Sequence, residues 1–293
     1  MQDRTDMDIN LQGKTVVVTG ATSGIGLAVV EKMAQAGAYV IGVGRSSARN
    51  EQARSAVLDS VPGAQVTYLL ADLSGQAQVR QLAVEIKDTL TKAGFGQLDA
   101  LVNNAGVYMI HKKLTEDGIE MTFAVNHLAG FLLTHELLDW LVRAGGRVVM
   151  SSSYAHRTTP LCLSRIANPW PHVGVMAYKR SKLSNVLFAY ELNRRDLGIT
   201  AFAVDPGLVN TEIASKGGAG IEELVWRRKR LQGTTADVPA QTYLYLAGAQ
   251  GVDTSEGYYF KDSAYFRPSR QSESERLARR LWDLSCRLTG VGK

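Results

Sequence analysis

Short β-branched runs and longer stretches of helical spacing take turns along this chain, six times over, and few folds accommodate that order. The runs at 15–19, 38–43, 65–70, 98–103, 146–151 and 199–204 have the length and composition of strands. Between them, 25–36, 77–92, 118–143 and 177–197 place apolar residues at helical intervals. Units of this kind cross over right-handedly and build a parallel sheet covered on both faces. The 293 residues contain no long Pro/Gly/Ser linker and no repeat of fixed period. The expectation is a single doubly wound α/β domain over 1–293, with 1–12 flexible.

The first strand runs into Thr19-Gly20-Ala21-Thr22-Ser23-Gly24-Ile25-Gly26, and a helical pattern follows. Glycines let a backbone turn sharply and approach a pyrophosphate, while the helix N-terminus adds unpaired N–H groups and a positive dipole end. A glycine-rich turn alone is a weak signal; one between a first strand and a first helix reads as a dinucleotide cradle. The end of the second strand bears on which dinucleotide. An acid there would bind a ribose 2′-hydroxyl. The run is instead Gly42-Val43-Gly44-Arg45-Ser46, with no carboxylate before Glu51. Arg45 can pair with a 2′-phosphate through its guanidinium fork, with Ser46 and Arg49 assisting, which favours NADP(H) over NAD(H). A plain surface arginine is the other reading.

The spacing T-G-x-x-x-G-x-G differs from the ordinary dinucleotide fingerprint, and further motifs follow it in order. They are Asn103-Asn104-Ala105-Gly106, Asn126, the serines 151–153, Tyr178-x-x-x-Lys182 and Asp205-Pro206-Gly207. In this order they resemble the short-chain dehydrogenase/reductase family, whose fold is of Rossmann type. Leu114-Thr115-Glu116-Asp117-Gly118, Phe123-Ala124-Val125-Asn126-His127 and Ser181-Lys182-Leu183-Ser184-Asn185-Val186-Leu187-Phe188 are similar to its retinol dehydrogenase-like branch. So are Glu256-Gly257-Tyr258-Tyr259-Phe260 and the stretch from Ala278 to Cys286. The resemblance covers nearly everything from Thr15 onward. Many members of that branch carry an N-terminal membrane anchor, whereas Met1 to Asn10 is polar here and lacks the apolar core of a signal peptide.

The resemblance implies an oxidoreductase that interconverts a carbonyl and an alcohol, with Asn126, Ser153, Tyr178 and Lys182 as its catalytic set. Residues four apart share a helix face, so Tyr178 and Lys182 would be neighbours. A free tyrosine has a pKa of about 10, and a nearby ammonium, helped by the positive nicotinamide ring, is expected to lower it enough for acid/base work. Ser153 would orient the reacting oxygen, with Ser152 as the alternative, and Asn126 would hold a water behind Lys182 or else act as a solvated or capping residue. By the same resemblance the cofactor lies along Gly20, Thr22, Ser23, Gly24, Ile25, Gly26, Asp72, Leu73, Asn104, Ala105 and Gly106, along Tyr178 and Lys182, and along Pro206, Gly207, Val209 and Thr211. Asp72 is equally a candidate helix cap.

Twenty-four residues separate Ser153 from Tyr178. Such an insertion beside chemistry suggests that 154–177 and a second segment, 212–235, cover a partly apolar substrate pocket. Met109, Tyr154, His156 and Trp170 are its candidate lining residues. The glycines at 217, 218 and 220 could hinge a short helix bearing Trp226.

His135-Glu136 lacks the second histidine of a zincin, because position 139 is Asp139, and no metal site is expected. The net charge of +5 suits a phosphorylated cofactor and does not point to nucleic acid. Arg227-Arg228-Lys229-Arg230 reads as a solvated helix face, with an anionic substrate or membrane surface as the other possibility. Cys162 and Cys286 are far apart, which fits a reducing, cytoplasmic setting, and no transmembrane run is present. The family permits a homodimer or homotetramer through 118–143 and 177–197, and monomers too. Rival functions are reduction of a C=C bond and non-catalytic NADP(H) sensing.

Overall fold

The computed structural model describes residues 9–209 and 234–292. Strands β1 (Thr15–Thr19), β2 (Tyr39–Gly44), β3 (Val66–Leu70), β4 (Ala100–Asn103), β5 (Arg147–Ser151) and β6 (Thr200–Val204) fall on the six expected runs. Two more follow, β7 (Tyr259–Lys261) and β8 (Ala264–Tyr265). The sheet order is β3-β2-β1-β4-β5-β6-β7-β8. Pairing is parallel through β7, and β8 turns back antiparallel, so the sheet is mostly rather than wholly parallel.

A parallel strand covered on both faces must be apolar throughout, and β1 reads Thr-Val-Val-Val-Thr with every residue buried. Alternate residues serve alternate cores. Val17, Ile41, Leu101, Val148 and Met150 face one layer of helices, while Val16, Val18, Val40, Val102 and Val149 face the other. The first layer holds α3 (Gln76–Lys92), α5 (Ala129–Glu136), α6 (Leu138–Ala144) and α7 (Gly174–Arg194). The second holds α1 (Gly24–Gln35), α2 (Ser47–Ser60) and α8 (Asp237–Gly248).

The stretch read as one helix over 118–143 is broken. It begins as α4 (Met121–Phe123), widens into a π turn at Ala124–Leu128, and continues as α5 and α6. Glu120 caps it with both carboxylate oxygens, accepting from the N–H groups of Thr122 and Phe123 at 3.0 and 2.8 Å. Outside α5 and α7 lies a last helix, α9 (Glu275–Thr289), capped by Ser274. Its Trp282 stacks on Phe188 at 5.7 Å and meets Phe131 edge-on at 5.2 Å. Such aromatic pairs contribute ~0.5–1.5 kcal/mol each beyond their buried area.

Residues 9–12 are docked, in contrast to the expectation for 1–12. The Leu11 N–H donates to the Ala36 carbonyl at 2.7 Å, and the Leu11 side chain enters the core. Of the segment 212–235, only Thr234 and Thr235 lie within the described residues; Thr211, Trp226 and the basic run 227–230 lie outside them.

Candidate active site

The direction of winding reverses between β1 and β4, and in open α/β sheets such a switch point leaves a crevice beyond the strand ends. Two sequence motifs close its floor. Thr19 Oγ1 accepts from the backbone N–H groups of Asn104 and Ala105, both at 3.1 Å. Asn104 Nδ2 donates in return to the carbonyls of Thr19 and Gly20 at 3.1 and 3.4 Å. The approach is so close that a Cβ on Gly26 would sit 2.1 Å from the Gly20 oxygen. Gly20 itself has φ +66, a region that favours glycine.

Above this floor opens a cavity of about 380 Å³. Of the expected cofactor residues it is lined by Gly20, Thr22, Ser23, Gly24, Ile25, Gly26, Arg45, Asp72, Leu73, Asn104, Ala105 and Gly106. Ser23, the residue before α1, makes no capping hydrogen bond through its side chain. The leading N–H groups of α1 are therefore left for an anion, and a dinucleotide pyrophosphate fits them. Arg45 and Arg49 line the cavity, as does Lys113, which the sequence reading did not single out. Ser46 does not; it caps α2, accepting from the Arg49 N–H at 3.5 Å. Asp72 lines the cavity, and its Oδ1 accepts from Ser74 N–H at 2.9 Å in the turn ahead of α3; it does not cap that helix, whose N-cap is Gly75.

Helix α7 carries Tyr178 and Lys182 on one face. The Lys182 Nζ lies 5.6 Å from the Tyr178 ring centre and donates to the Ser151 carbonyl at 3.0 Å. Lys182 is buried, and loss of hydration pushes its pKa down to about 8. For Tyr178 the expectation from sequence needs correction. Burial dominates and pushes the phenol up to about 12; a hydrogen bond with the Ser153 hydroxyl pulls the other way, and the negative charge of Asp205 adds to the rise. The Lys182 ammonium directs its hydrogen bond to the Ser151 carbonyl.

The three serines separate cleanly. Ser151 Oγ lies 2.6 Å from the Tyr243 hydroxyl, and Ser152 Oγ donates to the Lys182 carbonyl at 2.9 Å; both serines are buried. Ser153 is half-buried; its Oγ accepts from Ala155 N–H at 3.3 Å, and its hydroxyl is the one that pulls the Tyr178 pKa down against burial. Asn126 sits in the π turn, where its Oδ1 accepts from Val107 N–H at 2.7 Å and its Nδ2 donates to the Val107 carbonyl and to Ser181 Oγ, each at 3.0 Å. Its side chain thus grips the loop that follows Gly106.

On the substrate side the sequence reading held up unevenly. Met109 lines the cavity. Tyr154 is exposed, with the Arg157 guanidinium 5.4 Å over its ring. His156 is corrected: it is fully buried, its Nδ1 donates to the Ser153 carbonyl at 2.7 Å, and its Nε2 accepts from Ser269 N–H at 3.2 Å. It offers no surface to a ligand and instead anchors the backbone of Ser153. Trp170 is corrected too; at 76% exposure, with the Lys112 ammonium 5.8 Å from its ring, it faces solvent rather than a pocket. The insertion itself is pinned by Ile166 in a small core with Phe123 and Leu187, and by His172 Nε2 lying 3.5 Å from Glu120. Beyond β6, Gly207 N–H donates to Asp205 Oδ1 at 3.0 Å, Pro206 follows the buried Asp205, and Val209 pairs with Thr234. Among the described residues no cluster of His, Cys, Asp or Glu is placed to hold a metal, and no helix is long and apolar enough to cross a membrane.

A glycine-rich cradle at a switch point, with a tyrosine packed on its lining residue Tyr108 and a lysine one turn further along the same helix, defines a class of oxidoreductases. The family model described as short chain dehydrogenase matches residues 14–221, and the chain belongs to that family, whose fold binds a nicotinamide cofactor. Within it, the chain falls in the retinol dehydrogenase-like branch. It is 37% identical to human Retinol dehydrogenase 12 over 97% of this chain and 89% of that protein. With human Polyprenol dehydrogenase it shares 32% identity over 95% of this chain and 86% of the relative. A crystal structure of an uncharacterised Mycobacterium paratuberculosis protein superposes with a TM-score of 0.73 at 29% identity, covering 98% of this chain and 97% of the other. A Shigella flexneri short chain dehydrogenase solved with NADP gives 0.67 at 22% identity, over 88% of this chain and 100% of its own, a likeness of fold.

Proposed function

We propose that this chain is an NADP(H)-dependent oxidoreductase that interconverts a carbonyl and an alcohol on a partly apolar small molecule, with Tyr178 as acid/base. The observation that carries this reading is Tyr178 packed edge-on, at 5.7 Å, against Tyr108 of the cavity lining, with Ser153 acting on its phenol and Lys182 buried one turn behind. A phenol held near 12 is protonated at neutral pH and is ready to donate. In the reductive direction, the Ser153 hydroxyl orients the substrate oxygen and the Tyr178 hydroxyl gives it a proton. Lys182 keeps positive charge next to the phenolate left behind, and Asn126 holds the Val107 loop against the helix that carries it. A bound nicotinamide would supply the hydride, or accept it in the reverse direction.

Arg45 and Arg49 in the cavity lining favour a cofactor with a 2′-phosphate. The NADP in the Shigella structure agrees with this reading. Relatives named for retinol and polyprenol, both apolar alcohols, agree with an apolar substrate. The test is absorbance of NADPH, with NADH in parallel, against aliphatic, aromatic, steroidal and isoprenoid carbonyls. Oxidation of NADPH by at least one apolar carbonyl, faster than of NADH, is the expected result. Tight NADPH binding with no carbonyl reduced would overturn the enzymatic reading.

A further inference from the structure

Three residues in the stretches that mark the branch have no task in the site as described so far: His127, Asn185 and Ser285. They lie far apart in the chain, yet the fold joins them in one buried line. Asn185 Nδ2 donates to the Ser151 carbonyl at 2.9 Å and to the Asn126 carbonyl at 2.8 Å. Asn185 Oδ1 lies 3.1 Å from His127 Nδ1, and His127 Nε2 lies 3.1 Å from Ser285 Oγ on α9. All three side chains are buried.

Counting protons fixes every role in this line. Two carbonyls can only accept, so both amide hydrogens of Asn185 go to them. Its Oδ1 must then accept, which places a proton on His127 Nδ1. His127 is neutral, since complete burial pushes its pKa down to about 4. Its Nε2 is therefore bare and accepts from the Ser285 hydroxyl, for which the Leu281 carbonyl at 2.9 Å is the competing acceptor. The far end of the line meets the catalytic lysine. The Ser151 carbonyl takes Asn185 Nδ2 and Lys182 Nζ together. If the Asn185 amide turned over, its oxygen would face two carbonyl oxygens, and the lysine's acceptor would lose its second tether.

We propose that Asn185, held in one orientation by His127 and Ser285, is a positioning residue that fixes the Ser151 carbonyl and through it the Lys182 ammonium beside Tyr178. This rests on the acid/base reading of Tyr178 and Lys182 given above. The titratable groups around the ammonium are Tyr178 on its own helix, Tyr243 of α8 through the Ser151 hydroxyl, and His127 behind Asn185. Asp205 adds a negative charge that raises both tyrosines.

The experiment compares wild type, Asn185→Ala and Ser285→Ala as full chains, by steady-state kinetics across pH and by nitrogen NMR of the histidine rings. In Asn185→Ala, kcat should fall about tenfold or more while the KM for NADPH stays within about twofold. The alkaline limb of kcat should move to lower pH by about half a unit or more, because an ammonium that loses its fixed acceptor gives up its proton more easily. Ser285→Ala should move it the same way by less, and should shift the His127 Nε2 resonance, which loses its hydrogen-bond donor, while the proton stays on Nδ1 facing Asn185 Oδ1. An unchanged kcat and pH profile in folded variants would overturn the proposal, as would a wild-type His127 carrying its proton on Nε2. If Asn185→Ala fails to fold, Ser285→Ala decides alone. If wild type reduces no carbonyl, the proposed function fails, while the His127 tautomer still tests the hydrogen-bond line by itself.

Discussion

Tyr178 shows how far a single residue's setting departs from its motif. Its spacing to Lys182 is local and legible, whereas its elevated pKa comes from burial that no four-residue pattern reveals. Tyr178→Phe removes the proton donor and keeps the ring, so kcat should fall by roughly 10²–10⁴-fold with NADPH affinity nearly unchanged; single-turnover kinetics and NADPH titration check both halves. Arg45→Asp should swing the ratio of kcat/KM for NADPH over NADH by about tenfold or more, because a carboxylate suits a 2′-hydroxyl and repels a phosphate; an unmoved ratio would remove Arg45 from that role. His127 governs acid stability. Above pH 6.5 it is neutral in both states. As pH falls towards 4 the unfolded chain takes up a proton that the buried ring refuses, and stability drops, by about 3 kcal/mol in full. Urea unfolding at pH 7 and pH 4.5 should therefore show a smaller difference in His127→Gln than in wild type. None of this could be read from position 127. Its partners lie 58 and 158 residues away, and a histidine in an apolar helix carries no sign of them.

Elements were legible where the pattern was strong. The six central strands came out of the sequence to within a residue or two because buried parallel strands are uniformly apolar. Helix α2 was missed because it buries just Asn50, Ala53 and Val57 and is polar elsewhere, so no apolar stripe announces it. The π turn was missed because Ala124–Leu128 is buried on every side, Asn126 and His127 included, so no one-sided stripe marks a change of pitch. Helix α9 was recognised by resemblance and not by function; its role shows in what it covers. Trp282 rests on Phe131 and Phe188 and beneath the Arg195 guanidinium, 3.9 Å from its ring. Trp282→Ala should cost ~3–5 kcal/mol, the range for emptying an aromatic site, measured as a fall in the urea midpoint at constant m-value. A loss below 1 kcal/mol would mean that α9 is held elsewhere.

At the scale of the molecule, α9 bears on assembly. The helices at 118–143 and 177–197 were the expected faces for a dimer or tetramer, and α9 lies across both, packing on α7 through Leu281 and Trp282. The face is thus already covered from within the chain. A monomer is expected by light scattering across micromolar concentrations; a concentration-independent dimer would require another surface. Among the described residues, the cavity lining and the proposed acid/base set all precede residue 210, whereas α9 begins at Glu275. A chain is made from its N-terminus, and its parts fold as they emerge. A nascent chain that has just delivered α7 and β6 therefore has its Tyr178 and Lys182, but His127 still lacks its donor, and Phe131 and Phe188 still lack their cover. The reactive centre of this protein is drafted early in translation and signed off late.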